Sequence, residues 1–199
     1  MVTGFILAGG ASSRMGREKA WLPVGQRPLI ELVIQRLRPQ VQRLLIVANA
    51  RNACLFERLP VEEVLIDVKP AHGPLMGIYT GLMHTQTPLN LFVPCDMPWV
   101  EGRLSDRLVQ ACRDGVEFVA SRHPLEGIQP FPLACHVKGC QTLGALLDQR
   151  ALSLQALFHH PRSRLVSIEE PDLWRSFMNV NTIADYAKLT DDTALTPRS

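Results

Sequence analysis

The sequence predicts one α/β domain, built on a mainly parallel sheet with helices on both faces. Three observations point there. Short runs of β-branched and bulky apolar residues recur along the first two thirds of the chain, each too short for a helix. Segments with apolar residues at helical spacing stand between them. The first apolar run ends in Ala8-Gly9-Gly10, a strand delivered into a glycine-rich loop. Alternating strands and helices imply right-handed crossovers and a sheet covered on both sides.

Thr3 to Leu7 is the first strand. After Pro28, the apolar residues Ile30, Val33, Ile34 and Leu37 lie on one helical face. Leu44 to Ala48 and Val64 to Ile66 are buried-strand runs closed by Asn49 and Asp67. Leu75 to His84 reads as a helix, because Gly77 and Gly81 weaken it without forcing a break. Leu91 to Val93 is the next strand, and Pro94-Cys95-Asp96-Met97-Pro98 stops it. A helix over about Arg103 to Arg113 and a strand at Glu117 to Ser121 follow. The second half is less regular: a strand over Leu133 to Val137, a helix over Cys140 to Gln149, a strand over Leu165 to Ile168 and a last helix over Thr182 to Leu189.

The chain has 199 residues, 46% hydrophobic and 20% charged, with a formal net charge of +2. At roughly 150 residues per domain this suits one domain, assigned to residues 1–190, with polar residues 191–199 as a tail. Near-balanced charge without a block of one sign argues against a broad nucleic-acid groove, so any polyanion must be recognised locally. The longest apolar run is the five residues Leu44 to Ala48, against about 20 for a membrane helix. No export signal is legible at the amino terminus, and five cysteines without a C-x-x-C pair fit reduced thiols. The expected location is the cytoplasm.

Ligands of open α/β sheets lie beyond the carboxyl ends of the strands. Four such ends carry notable residues: Gly9-Gly10, Asn49, Asp67 and Asp96. Each has a plain alternative, since Gly-Gly also makes turns and Asn or Asp also caps helices, but all four fall on one edge. Backbone N–H groups freed by glycine, with Ser12 and Ser13, suit an anion, and Arg14 and Lys19 add charge. The loop is not G-x-x-x-x-G-K-[ST], because Arg17 and Glu18 separate Gly16 from Lys19, and G-x-G-x-x-G is absent. Asp96, stopped at the sheet edge, suits Mg²⁺, which takes one or two carboxylates and completes its shell with water and phosphate oxygens.

Leu7-Ala8-Gly9-Gly10-Ala11-Ser12-Ser13-Arg14-Met15-Gly16-Arg17-Glu18-Lys19 resembles the signature loop of nucleotidyltransferases with a Rossmann-like, GT-A-like fold. Gly73-Pro74-Leu75-Met76-Gly77, Pro94-Cys95-Asp96-Met97-Pro98 and Phe177-Met178-Asn179-Val180-Asn181-Thr182 are similar, in order and spacing, to the molybdenum cofactor guanylyltransferases of MobA type. The resemblance implies transfer of GMP from GTP to Mo-molybdopterin, yielding molybdopterin guanine dinucleotide and pyrophosphate, with Mg²⁺ as cofactor. It assigns Arg14, Lys19 and Asp96 to catalysis and Asp96 to the metal. Leu7, Ala8, Gly9, Gly10, Asn49, Asp67, Gly73 and Gly77 join them around GTP, and Asn179, Asn181 and Thr182 face the pterin. The family's guanine-contacting Asn aligns with Ala48 or with Asn49, and the usual Pro after Thr182 is Ile183 here. Partners among cofactor-handover proteins or molybdoenzymes follow from the same likeness.

Other residues are read as structural. Cys135-His136 with Cys140 lacks a fourth ligand at zinc spacing, His159-His160 reads as a turn and His72 as a loop residue. Trp21, Trp99 and Trp174 read as packing residues, with Trp99 placed to line a pterin pocket; Gln129 and Pro130 fall where an acceptor should bind. The competing functions are a molybdopterin cytidylyltransferase, a sugar-1-phosphate nucleotidyltransferase and a non-catalytic nucleotide-binding module.

Overall fold

The computed structural model describes residues 1–9, 19–24, 26–67, 73–149, 153–181 and 185. In chain order the elements are β1 (Val2–Leu7), β2 (Pro23–Val24), β3 (Arg27–Pro28), α1 (Leu29–Leu37), β4 (Arg43–Ala48), β5 (Glu63–Ile66), α2 (Pro74–His84) and β6 (Leu89–Pro94). Then come α3 (Gly102–Ala111), β7 (Phe118–His123), β8 (Gly127–His136), α4 (Gly139–Asp148), α5 (Leu154–Phe158), β9 (Ser163–Ser167) and α6 (Pro171–Trp174). Seven strands form one sheet in the order β5-β4-β1-β6-β8-β7-β9, and β2 and β3 form a separate small hairpin. Neighbouring strands are parallel except where β8 runs antiparallel to both β6 and β7. The expected mainly parallel sheet is the one observed.

The core follows from the apolar runs. Phe5 and Phe92, registered neighbours on β1 and β6, stack with ring centroids 4.7 Å apart. α2 lies directly on them, because Gly81 has no side chain to hold it off: a Cβ there would come within 2.6 Å of the Phe92 ring and 3.1 Å of Phe5. α4 approaches the same face at Gly139, where a Cβ would lie 2.6 Å from the Phe118 ring. On the opposite face, Leu104 and Leu108 of α3 pack with Val119 of β7 and Ala134 of β8. In α1 the expected stripe Ile30, Val33, Ile34 and Leu37 is buried. Both rings meeting Gly81 are fully buried and cannot swing aside. Gly81→Val is therefore expected to cost about 2–3 kcal/mol of stability in a denaturant melt, and a variant as stable as the parent would contradict this packing.

The irregular half departs from expectation in instructive places. The strand expected over Leu133 to Val137 begins at Gly127. Pro130 and Pro132 masked it, since proline lacks the ladder donor; here they sit where the pairing with β7 shifts register between Val119 and Ser121. The short helices α5 and α6 and the β2–β3 hairpin were not anticipated. The expected helix over Thr182 to Leu189 and the tail over 191–199 lie outside the described residues apart from Asp185. Among the described residues no helix is long and apolar enough to cross a membrane.

All five cysteines are free thiols, as their spacing suggested. Cys54 is exposed, whereas burial pushes the Cys112 thiol up to about 12 and the fully buried Cys135 well above its ordinary value. A thiol reagent at about pH 8 should label Cys54 quickly and reach Cys112 and Cys135 only on unfolding. Fast labelling of Cys112 in the folded chain would contradict that burial.

Candidate active site

The carboxyl ends of four adjacent strands are tied together by backbone hydrogen bonds. Ala8 N donates to Val47 O at 2.8 Å, Asp67 N to Ala48 O at 2.7 Å and Cys95 N to Leu7 O at 3.1 Å. Gly9, Asn49, Asp67 and Asp96 thus come to one edge, as the order of elements predicts. Gly9 sits in the angle between β4 and β5: a Cβ on it would lie 3.7 Å from Asn49 N and 3.8 Å from Asp67 Oδ2.

Asn49 fixes its own turn. Its Oδ1 accepts from Arg51 N at 2.9 Å and Asn52 N at 3.1 Å. This is the plain role of Asn after a strand, and it commits the amide oxygen while leaving the amide nitrogen as the end that can meet a ligand. The Ala48 side chain is fully buried in the core, whereas Asn49 is half-buried. Asn52 was missed by sequence reasoning; it is buried, and its Nδ2 donates to Ala8 O at 3.1 Å, clamping the start of the glycine loop to the turn after β4. The one available signal was its position three residues after Asn49.

Asp67 is buried and accepts from Thr80 Oγ1 of α2 at 3.3 Å. That helix is capped at its amino end by Gly73, whose φ of 68° is a left-handed conformation open to glycine. Gly77, one turn on, allows close approach to the end of β1, because a Cβ there would meet Leu7 Cδ2 at 3.2 Å. The amino terminus of an 11-residue helix thereby joins the edge, and its unpaired N–H groups favour anions there.

Lys19 and Asp96 face each other across the edge. Lys19 Nζ lies 3.5 Å from Asp96 Oδ2 and donates to Asn181 Oδ1 at 2.7 Å. Burial raises the Asp96 carboxyl above its ordinary value, and the Lys19 ammonium offsets part of that shift. A carboxylate withdrawn from water beside one cation is a site that gains from a second positive partner. Met178, Asn179 and Asn181 are exposed, while Val180 between them is buried against Leu29 and Trp99. Trp99 also carries the Arg175 guanidinium 5.1 Å from its ring centre. It is a buried packing residue that seats the chain's last described segment.

Gly10, Arg14, Thr182 and His72 lie outside the described residues. Gln129, near the start of β8, donates to Glu126 Oε2 at 3.2 Å in the preceding turn. His136 Nδ1 accepts from Lys138 N at 3.2 Å and His160 Nδ1 from Arg162 N at 3.3 Å, both local turn bonds. Among the described residues no group of three or more His, Cys, Asp or Glu side chains could hold a metal ion.

Comparison with known proteins places this arrangement. The MobA-like NTP transferase domain matches residues 4–164, from within β1 to within β9. The class is accordingly that of the nucleotidyltransferases. The chain is 35% identical to the molybdenum cofactor guanylyltransferase of Vibrio parahaemolyticus over 92% of each sequence. In fold it matches the molybdopterin-guanine dinucleotide biosynthesis protein A of Archaeoglobus fulgidus, with a TM-score of 0.81 and 20% identity over 95% of this chain and 97% of the other. It also matches Rv0371c of Mycobacterium tuberculosis, solved as a complex with manganese, with a TM-score of 0.69 and 19% identity over 96% and 99% of the two chains. The chain belongs to the MobA-like molybdenum cofactor guanylyltransferase family.

Proposed function

We propose that this nucleotidyltransferase moves GMP from GTP to the terminal phosphate of Mo-molybdopterin, forming molybdopterin guanine dinucleotide and releasing pyrophosphate. The observation that carries the reading is the placing of Lys19 and Asp96 against each other at the carboxyl edge, with Asn181 closing the same gap. An oxygen of the acceptor phosphate forms the new bond to the α-phosphorus of GTP, and the bond from that phosphorus to the pyrophosphate oxygen breaks. A phosphate monoester is already ionised near neutral pH, so no general base is needed. The protein's work is to bring two polyanions together and neutralise developing charge.

In this reading Leu7, Ala8, Gly9 and Gly10 receive the nucleotide, Gly73 and Gly77 admit the amino end of α2 to it, and Asp67 and Asn49 face the nucleoside. Arg14 can present a planar fork to the phosphates and Lys19 a point charge. Asn179, Asn181 and Thr182 are assigned to the acceptor side. Asp96 fits Mg²⁺: it is a hard oxygen donor, withdrawn from water, with one cation 3.5 Å away. A single protein carboxylate suffices for an ion that retains water and substrate oxygens. When bound, Mg²⁺ supplies neutralising charge at the phosphates. The working unit is residues 1–190, acting in the cytoplasm and delivering its product to handover proteins or molybdoenzymes. Equilibrium binding of GTP, CTP and ATP with Mg²⁺ tests the nucleotide assignment: GTP should bind tightest, and a preference for CTP would transfer the chain to the cytidylyltransferases.

A further inference from the structure

The last described segment is fastened along the residues that follow Asp96. Ser176 Oγ donates to Trp99 O at 3.2 Å and accepts from Glu101 N at 3.2 Å. Farther on, Val180 N donates to Asp96 O at 2.9 Å, and the Val180 side chain is fully buried with Trp99 and Leu29. The segment therefore runs antiparallel to residues 96–101 and delivers Asn181 to the side of Asp96. There the Asn181 amide oxygen accepts from Lys19 at 2.7 Å, a far better hydrogen bond than the 3.5 Å approach of the same ammonium to Asp96.

Lys19 follows a glycine-rich loop and carries a flexible four-carbon stem, so its ammonium needs a fixed partner to be aimed. Asp96 is a poor one, because a carboxylate attracts the ammonium away from incoming phosphates. A neutral amide oxygen takes one of the three N–H donors and leaves the full positive charge and two donors for a ligand. We propose that Asn181 is a positioning residue for Lys19, holding its ammonium at the sheet edge where nucleotide phosphates bind. Through Val180 and Ser176 the residue is braced on the Asp96 turn, so the cation and the carboxylate are set at a fixed separation by one strap of chain. The inference rests on reading Lys19 as a phosphate-binding cation. It differs from an acceptor-contact role, because it acts before any acceptor arrives.

Equilibrium binding of GTP with Mg²⁺ and no acceptor tests it, using the full chain, Asn181→Ala, Lys19→Ala and the double variant. Asn181 is exposed, so its substitution should leave the melting temperature unchanged, which a thermal melt checks. Asn181→Ala should weaken GTP by about 3- to 10-fold, Lys19→Ala by more, and the double variant no more than Lys19→Ala alone. If Asn181→Ala binds GTP like the parent while Lys19→Ala does not, or if the two losses multiply, the positioning role is overturned. If Lys19→Ala binds like the parent, or the parent binds no GTP, the functional reading beneath it falls as well.

Discussion

Asp96→Asn is expected to leave a folded chain whose kcat falls about 1000-fold, the loss that accompanies removal of a group stabilising transition-state charge. Burial already raises the Asp96 carboxyl, so its ionised form is disfavoured in the fold and adds a cost above the carboxyl's ordinary value. Asparagine removes that cost. The bond from Val180 N goes to the backbone oxygen of Asp96 and survives the change, as does the Lys19–Asn181 bond. The melting temperature should accordingly stay level or rise while pyrophosphate release is lost. Near-parental turnover with Mg²⁺ would remove Asp96 from the metal site, and a collapse in melting temperature would show that its role is structural.

Lys19→Ala is expected to lower kcat by about 100-fold, with a smaller change in KM for GTP. Charge on the phosphates shifts as the α-phosphorus changes partners, and a cation fixed at the edge serves the transition state more than the bound substrate. The ammonium donates to Asn181 and lies 3.5 Å from Asp96, which argues for a preset position over a mobile surface charge. Steady-state kinetics with saturating acceptor separates the possibilities, because a rise in KM alone would mean uniform binding and no catalytic part for Lys19. Arg14→Ala should act in the same direction.

Much of this was legible in the sequence for physical reasons. Parallel strands buried on both faces must be continuous apolar runs, so Thr3 to Leu7, Leu44 to Ala48 and Leu91 to Val93 declared themselves, and their closing residues marked the edge. β8 did not, because Pro130 and Pro132 look like breaks until the register shift opposite them is known. Asn49 was visible as a polar residue at a strand end and its turn-capping bonds to Arg51 N and Asn52 N are local, but the clamp from Asn52 to Ala8 O, 44 positions away, is a tertiary contact absent from any local pattern. Asn181 could be placed near the acceptor by resemblance alone; its bond to Lys19, 162 positions away, needed the fold. Trp99 shows the reverse, a residue beside the site whose burial under Arg175 and Val180 makes it a support.

What the purified chain makes from GTP, Mo-molybdopterin and Mg²⁺ decides the assignment. Mass spectrometry of the product, with pyrophosphate measured alongside, should show molybdopterin guanine dinucleotide and one equivalent of pyrophosphate, and neither when CTP replaces GTP. Tight GTP binding without pyrophosphate release, or a cytidine dinucleotide as the favoured product, would contradict it.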